Sequence, residues 1–175
     1  VVERLPDLAC KVLAFVEKAW FGGLRVKPKV YQLEEFDLEL MARLTQLERI
    51  AFGEGGMNQW MLAPHARYGR VFCLEYADEI IGVMEFMSCW KEPDTCYLAG
   101  ISVDPKYQNR GFGRFFLDEA LSRVKEDGFT RVILTVAPKN DRAIHLYRSF
   151  GFEEGELLVD VYGPGEDWME MVKEA

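Results

Sequence analysis

The residues best suited to chemistry lie in one run, GISVDPKYQNRGFGRFF, over positions 100–116. A strand pattern ends at Val103–Asp104–Pro105, and a short loop crosses Gln108, Asn109 and Arg110. Gly111–Phe112–Gly113 then opens a long periodic helix. The first amides of a helix have no partner inside it, and its dipole puts partial positive charge at that end. Glycine there keeps no side chain between the main chain and an oxyanion. Arg110 and Arg114 can add charge-assisted bonds at the rim. Those residue types in that order describe a cradle for linked phosphates. The third glycine of a dinucleotide fingerprint and the Gly-Lys-Ser/Thr of a P-loop are both missing. A tight strand-to-helix turn is the other use of the same glycines.

The remaining reactive side chains are sparse. Four cysteines (Cys10, Cys73, Cys89, Cys96) lack CxxC spacing, and the two histidines, His65 and His145, have no evident partners. That pattern disfavours a zinc site, a disulfide framework and a Cys–His acyl route, and it fits core thiols of a cytoplasmic protein.

These residues must be positioned by a mixed α/β order. Leu8, Val12, Phe15, Val16 and Ala19 fall at helical spacing, so residues 1–27 are expected to form a helical extension before a domain over 28–175. A strand is expected around Val30–Phe36, then a helix from an Asp37 cap to about Phe52. The Gly-rich stretch GEGGMNQWMLAPHARYG is expected to be an irregular substrate-side loop holding a short helix. Three strands follow, with a tight turn near Ala77–Asp78 and a loop at Lys91–Asp94. Phe115, Phe116, Ala120, Leu121 and Val124 line one face of the next helix, which Gly128 stops. RVILTVAP is expected to be a buried strand, DRAIHLYRSFGF a short helix, and the tail two strands around Phe152–Val161 and Asp167–Val172.

Composition bounds the function. The chain has 175 residues, is 49% hydrophobic and 13% aromatic, and carries a net charge of −8. It can fill a core, has no apolar run of the roughly 20 residues a bilayer span needs, and lacks the basic surplus of a duplex nucleic-acid binder. Between Asp104 and Phe150, nine Lys/Arg stand against six Asp/Glu, a local +3 that leaves the remainder at −11. A small anionic ligand on that window, and a cationic acceptor elsewhere, are the partners such a division favours.

The motif Gln108-x-x-Gly111-x-Gly113, followed by Asn140-x-x-Ala143-x-x-Leu146-Tyr147-x-x-x-Gly151-Phe152, resembles the GNAT superfamily of acyl-CoA-dependent N-acetyltransferases. The resemblance runs from about Val30 to the end of the chain, and the tail VYGPGEDWMEMV is most similar to the enzymes that acetylate ribosomal-protein N-termini. It implies a mixed, mostly antiparallel twisted sheet flanked by helices, with a V-shaped strand opening that holds acetyl-CoA, and no metal. The implied reaction is direct acetyl transfer to a primary amine of a small molecule, a protein N-terminus or a lysine. Gln108, Asn109, Arg110, Gly111, Phe112, Gly113 and Arg114 would hold the pyrophosphate. Backbone groups of Ile101 and Val103 would meet the acetyl carbonyl and pantetheine arm. Asn140 would bond the pantetheine, Ala143 would leave room for the thiol end, and Tyr147 would act as general acid.

Two positions depart from the family pattern. Tyr97 stands where some members have a glutamate on the splayed strand, and Thr135 stands where the ribosomal-protein enzymes have one. Glu85 is the first replacement for the general base, with Glu54, Glu166, Asp167 or a water chain as others. Phe52, Met57, Trp60, Met61, Tyr68, Trp90 and Trp168 are expected to be mostly core, with some lining an acceptor pocket. Two other functions fit the same residues: an acyl-CoA sensor without turnover, and an interaction module docking through its N-terminal helix. A homodimer is compatible with all of them.

Overall fold

The structure is a computed structural model that describes residues 26–174; the helix expected before residue 26 lies outside them. A seven-stranded sheet runs in the order β1-β2-β3-β4-β5-β7-β6, and every neighbouring pair is antiparallel except β4 with β5. The strands are β1 Lys29–Gln32, β2 Arg70–Tyr76, β3 Glu79–Cys89, β4 Glu92–Val103, β5 Arg131–Val136, β6 Glu153–Leu158 and β7 Trp168–Glu174. The helices are α1 Leu38–Phe52, α2 Gln59–Tyr68, α3 Phe112–Glu126 and α4 Asp141–Ser149.

Local chemistry sets the element ends. Asp37 Oδ1 accepts the Leu40 N–H at 2.8 Å and starts α1, whose buried side carries Met41, Leu44, Leu47 and Glu48. The Gly-rich region holds a ten-residue helix, longer than expected, because Asn58 Oδ1 caps it through the Trp60 N–H at 2.9 Å. Pro64 inside α2 masks that helix in the sequence, since proline removes an intrahelical donor. Ala77 (φ 53°) and Asp78 (φ 63°) form the tight β2–β3 turn, a pair of left-handed residues that matches hairpin twist. The expected Lys91–Asp94 loop is shorter, because β4 already begins at Glu92.

β5 is not buried on both faces. Val132, Leu134 and Val136 are buried while Ile133 and Thr135 are only half-buried, because α3 and α4 cover one face of that part of the sheet. A second cluster forms under α1 and α2 against Val71, Cys73 and Val83, on the other face of β2 and β3. Phe72, Phe86, Phe112 and Phe116 are all at most 1% exposed, each contributing about 2–3 kcal/mol of transfer free energy.

The feature that positions the site is a divergence of strands. β4 and β5 pair from Thr95↔Arg131 to Leu98↔Leu134 and no further. Beyond that point β4 continues against β3, ending Ile101↔Met84 and Val103↔Gly82, while β5 continues against β7 through Val136↔Met169. A bulge helps to turn β4 away: Phe86 faces Leu98 and Glu85 faces Gly100, so Ala99 is the extra residue.

Candidate active site

The start of α3 lies just past the free end of β4. Its N-cap, Gly111, has φ 85°, and no side chain caps the helix. A Cβ at Gly111 would meet nothing within 4 Å, and one at Gly113 would meet only Val103 Cγ2 at 4.0 Å. Asn109 is also left-handed, with φ 60°. The loop thus turns main-chain amides outward into open space beside a helix N-terminus, the arrangement that suits linked phosphates.

The side chains around this loop are engaged within the protein. Gln108 Nε2 donates to the Val103 carbonyl at 2.8 Å, and Gln108 Oε1 accepts from Arg142 Nη1 at 3.0 Å. Gln108 therefore ties the end of β4 to α4. The Arg110 guanidinium lies 5.3–5.8 Å from the rings of Phe112, Tyr107 and Tyr76. Arg114 Nη1 donates to Ser149 Oγ at 2.7 Å, and its guanidinium lies 5.0 Å from the Phe150 ring. Asn140 is exposed, and its Oδ1 caps α4 by accepting the Ala143 N–H at 3.1 Å. Ile101 and Val103 are half-buried on the diverging part of β4.

Tyr147 projects from α4 into the larger core cluster, with its ring 5.7 Å from that of Phe152. Burial, and secondarily the Tyr97 phenol, push its hydroxyl well above the ordinary phenol range. His145, two residues earlier, is exposed, as expected from its different helical face. The two departures from the family pattern meet: Tyr97 Oη and Thr135 Oγ1 are 2.6 Å apart. Burial raises the Tyr97 phenol, the Thr135 bond opposes this, and the Tyr162 hydroxyl and Glu170 add to the rise.

Glu85 is fully buried and neither carboxyl oxygen has a hydrogen-bond partner. Glu48 from α1 is 2% exposed, with Oε2 accepting the Met57 N–H at 3.0 Å and Oε1 unpartnered. Desolvation, and secondarily the field of Glu48, push Glu85 well above the ordinary carboxylate range. A Cβ on Gly100 would come within 2.8 Å of Glu85 Oε2 and 3.5 Å of the Phe52 ring, so only glycine there leaves room for the carboxyl beside that ring.

Of the other carboxylates, Glu54 and Glu166 are exposed, and Asp167 Oδ1 accepts the Asp160 N–H at 3.0 Å. The aromatic and methionine set is not mostly core. Trp90 is 99% exposed, Trp60 and Tyr68 are each 81% exposed, and Met61 and Phe52 are also exposed. α1 and α2 bury their Leu and Met faces instead, which leaves these larger side chains outside. Trp168 is half-buried against Tyr162, and Met57 packs at the edge of the α1–α2 cluster. His65 Nδ1 lies 2.8 Å from the Met61 carbonyl. Cys73 and Cys96 are buried with thiols pushed up to about 12, chiefly by desolvation. Among the described residues no group of three or more His, Cys, Asp or Glu is arranged to hold a metal, and no helix is long and apolar enough to cross a membrane.

Four features were beyond the sequence: the Glu48–Glu85 pair, the Tyr97–Thr135 bond, the position of Glu170, and a clamp of Arg43 Nη2 on Asp104 Oδ2 at 2.8 Å. Each depends on residues far apart in the chain, so only the tertiary arrangement of strands and helices reveals them.

Residues 29–152 match the acetyltransferase (GNAT) family model. The [ribosomal protein bS18]-alanine N-acetyltransferase of Escherichia coli strain K12 is 36% identical over 69 residues, which cover 39% of this chain and 47% of that one. The match thus spans about half the length of that relative. The enzyme of the same name from Haemophilus influenzae is 29% identical over 136 residues, covering 76% of this chain and 86% of its own. A Bacillus subtilis acetyltransferase solved in complex with CoA superposes with TM-score 0.71 at 18% identity, over 85% of this chain and 99% of that one. The motifs, the diverging parallel pair and these likenesses agree, and the chain belongs to the acetyltransferase (GNAT) family.

Proposed function

We propose that the chain transfers an acetyl group from acetyl-CoA directly to the α-amine of a protein N-terminus. The observation that carries this reading is the parting of β4 from β5 after Leu98 and Leu134, with the uncapped glycine start of α3 beside one arm and Tyr147 beside the other. The names of the E. coli and H. influenzae relatives favour an N-terminal alanine over other amines. Chemistry adds a reason: an α-amine, with pKa about 8, is far more often neutral at pH 7 than a lysine near 10.4.

In this reading the amides of the Gln108–Arg114 loop hold the pyrophosphate, and open space at Gly113 lets it approach. Gln108 shapes the loop rather than touching the ligand, because both ends of its amide are taken. The main chain of Ile101 and Val103 orients the pantetheine and the acetyl carbonyl; the Val103 carbonyl is already bonded, leaving its N–H for this role. Asn140 has only its amide nitrogen to offer, and Ala143 keeps the region small. Bound acetyl-CoA supplies an acyl carbon activated by a thiol leaving group. The neutral Tyr147 phenol donates a hydrogen bond toward that sulfur. Glu85, buried and with its pKa well raised, forms the floor of the acceptor side beside Gly100 and Phe52, and becomes a base only if that side opens to solvent.

Calorimetric titration with CoA, and mass spectrometry of peptides with N-terminal alanine or with internal lysine only, test the reading. Micromolar binding with acetylation of the alanine peptide is expected. Binding without transfer to any amine favours the sensor function, and folded protein that binds no CoA overturns both.

A further inference from the structure

We infer that Tyr97, Thr135 and Glu170 form a proton-accepting relay at the strand divergence, with Glu170 as the carboxylate that finally holds the proton released by the acceptor amine. This rests on the acetyl-transfer reading and supplies it with a base. Directly opposed residues of neighbouring strands share a face. Tyr97 opposes Ile133, and Thr135, two residues on, opposes Glu170. All four lie on the face of the sheet turned away from α3 and α4, and all are half-buried. Thr135 is the first residue of β5 past the last β4–β5 pair, so its hydroxyl and that of Tyr97, 2.6 Å away, stand at the apex of the gap. Tyr147 belongs to the cluster on the opposite face, yet Tyr97 acts on its phenol electrostatically. The gap thus presents one phenol to each side.

Glu170 is built into this place. A Cβ on Gly155 would come within 3.2 Å of Glu170 Oε1, so glycine there leaves the carboxylate its space. Glu170 acts on the Tyr97 phenol from β7, as does Tyr162 from the connection before β7. Cys89 on β3 also lies within the field of Glu170, with Glu92 and Arg131 beside it.

Aminolysis forms the C–N bond and breaks the C–S bond, and the attacking nitrogen must lose a proton. Tyr97 Oη accepts that proton while passing its own to Thr135 Oγ1, which passes one to the Glu170 carboxylate through a bridging water. Glu170 then returns its proton to solvent, and the departing thiolate is stabilised by Tyr147. Tyr97 is the catalytic residue of this set; Thr135 and Glu170 act through it.

The test compares pH profiles of kcat for an N-terminal-alanine peptide in the unsubstituted chain, Glu170→Gln, Glu170→Asp and Thr135→Val. Glu170→Gln should lose about 100-fold in kcat at pH 7 with the KM for acetyl-CoA unchanged. The loss should shrink toward pH 9, where hydroxide can take the proton that the attacking nitrogen loses, and Glu170→Asp should recover part of it. A second readout needs no turnover: phenolate absorbance, with Tyr97→Phe as the difference reference. Removing the Glu170 charge should lower the pH at which Tyr97 ionises. Superimposable pH profiles for the unsubstituted chain and Glu170→Gln, or an unmoved Tyr97 titration, overturn the relay. If the unsubstituted chain acetylates nothing, the acetyl-transfer reading fails and the relay falls with it.

Discussion

A phenol in water ionises near pH 10, and the burial of Tyr147 moves it higher still. The consequence is a hydroxyl that stays neutral across the whole working range. Against a thiolate with a reference pKa of about 8.5, such a phenol stabilises negative charge through a hydrogen bond more readily than by complete transfer. Tyr147→Phe removes only that donor and keeps the ring against Phe152. We expect kcat to fall at least 10-fold while CoA affinity, measured calorimetrically, changes less than 2-fold, as befits a contact made mainly in the transition state. Equal losses in both would make Tyr147 a packing residue. Its position was legible because the helix run Asn140–Tyr147 carries both cap and phenol in sequence. The Tyr97–Thr135 bond was not: its partners are 38 residues apart, and pattern alone marks them as two ordinary strand residues.

At the scale of elements, the helix start separates two glycines that look equivalent in sequence. Gly111 sits at φ 85°, so any β-branched residue there strains the turn whatever the ligand does. Gly113 is helical and faces open space, so Gly113→Val leaves the fold intact while its methyls obstruct the amides. Unchanged circular dichroism with CoA affinity reduced at least 10-fold is the expected result; retained affinity would remove the phosphates from this loop. The end of β4 has its own fastening, because Asp104 bonds Arg43 of α1 and caps the following turn through the Lys106 N–H at 3.0 Å. Partial burial pushes Asp104 up, but the Arg43 bond and the Lys106 N–H outweigh it and leave its pKa lowered. Asp104→Asn should therefore cost about 1–3 kcal/mol in denaturant unfolding at pH 7. The difference should fade as pH falls below the ordinary aspartate value and through the lower folded one, where the wild-type carboxylate is itself protonated. Most elements here followed from periodicity and caps. α2 followed only as a short helix within a loop, since Gly and Pro64 conceal its extent, and the half-open face of β5 did not follow, since Val, Ile and Leu look alike whether covered or not.

For the whole molecule the decisive asymmetry is between the two faces of the sheet. One carries α3, α4 and the Gln108–Arg114 loop; the other carries α1 and α2 and encloses two carboxyls, Glu48 and Glu85, against β4. Net charge, −8 over the chain, could be read from composition, but the burial of two of those acids could not. Desolvation raises both, and the Glu48 charge raises Glu85 further, so the native state binds more protons than the unfolded chain. Stability therefore declines as pH rises from the ordinary glutamate pKa, about 4.3, up to the elevated folded values. Replacing Glu85 with glutamine removes the ionisable proton while nearly preserving shape. Glu85→Gln should flatten that decline, leaving the variant more stable than wild type at pH 8 and least different near pH 4, as followed by urea unfolding across the series. A wild-type curve that rises from pH 4 to pH 8 would mean that Glu85 ionises without cost, through a solvent path past Phe52. The acceptor side would then have a directly accessible carboxylate, and the floor assigned to Glu85 would have to be redrawn as a base.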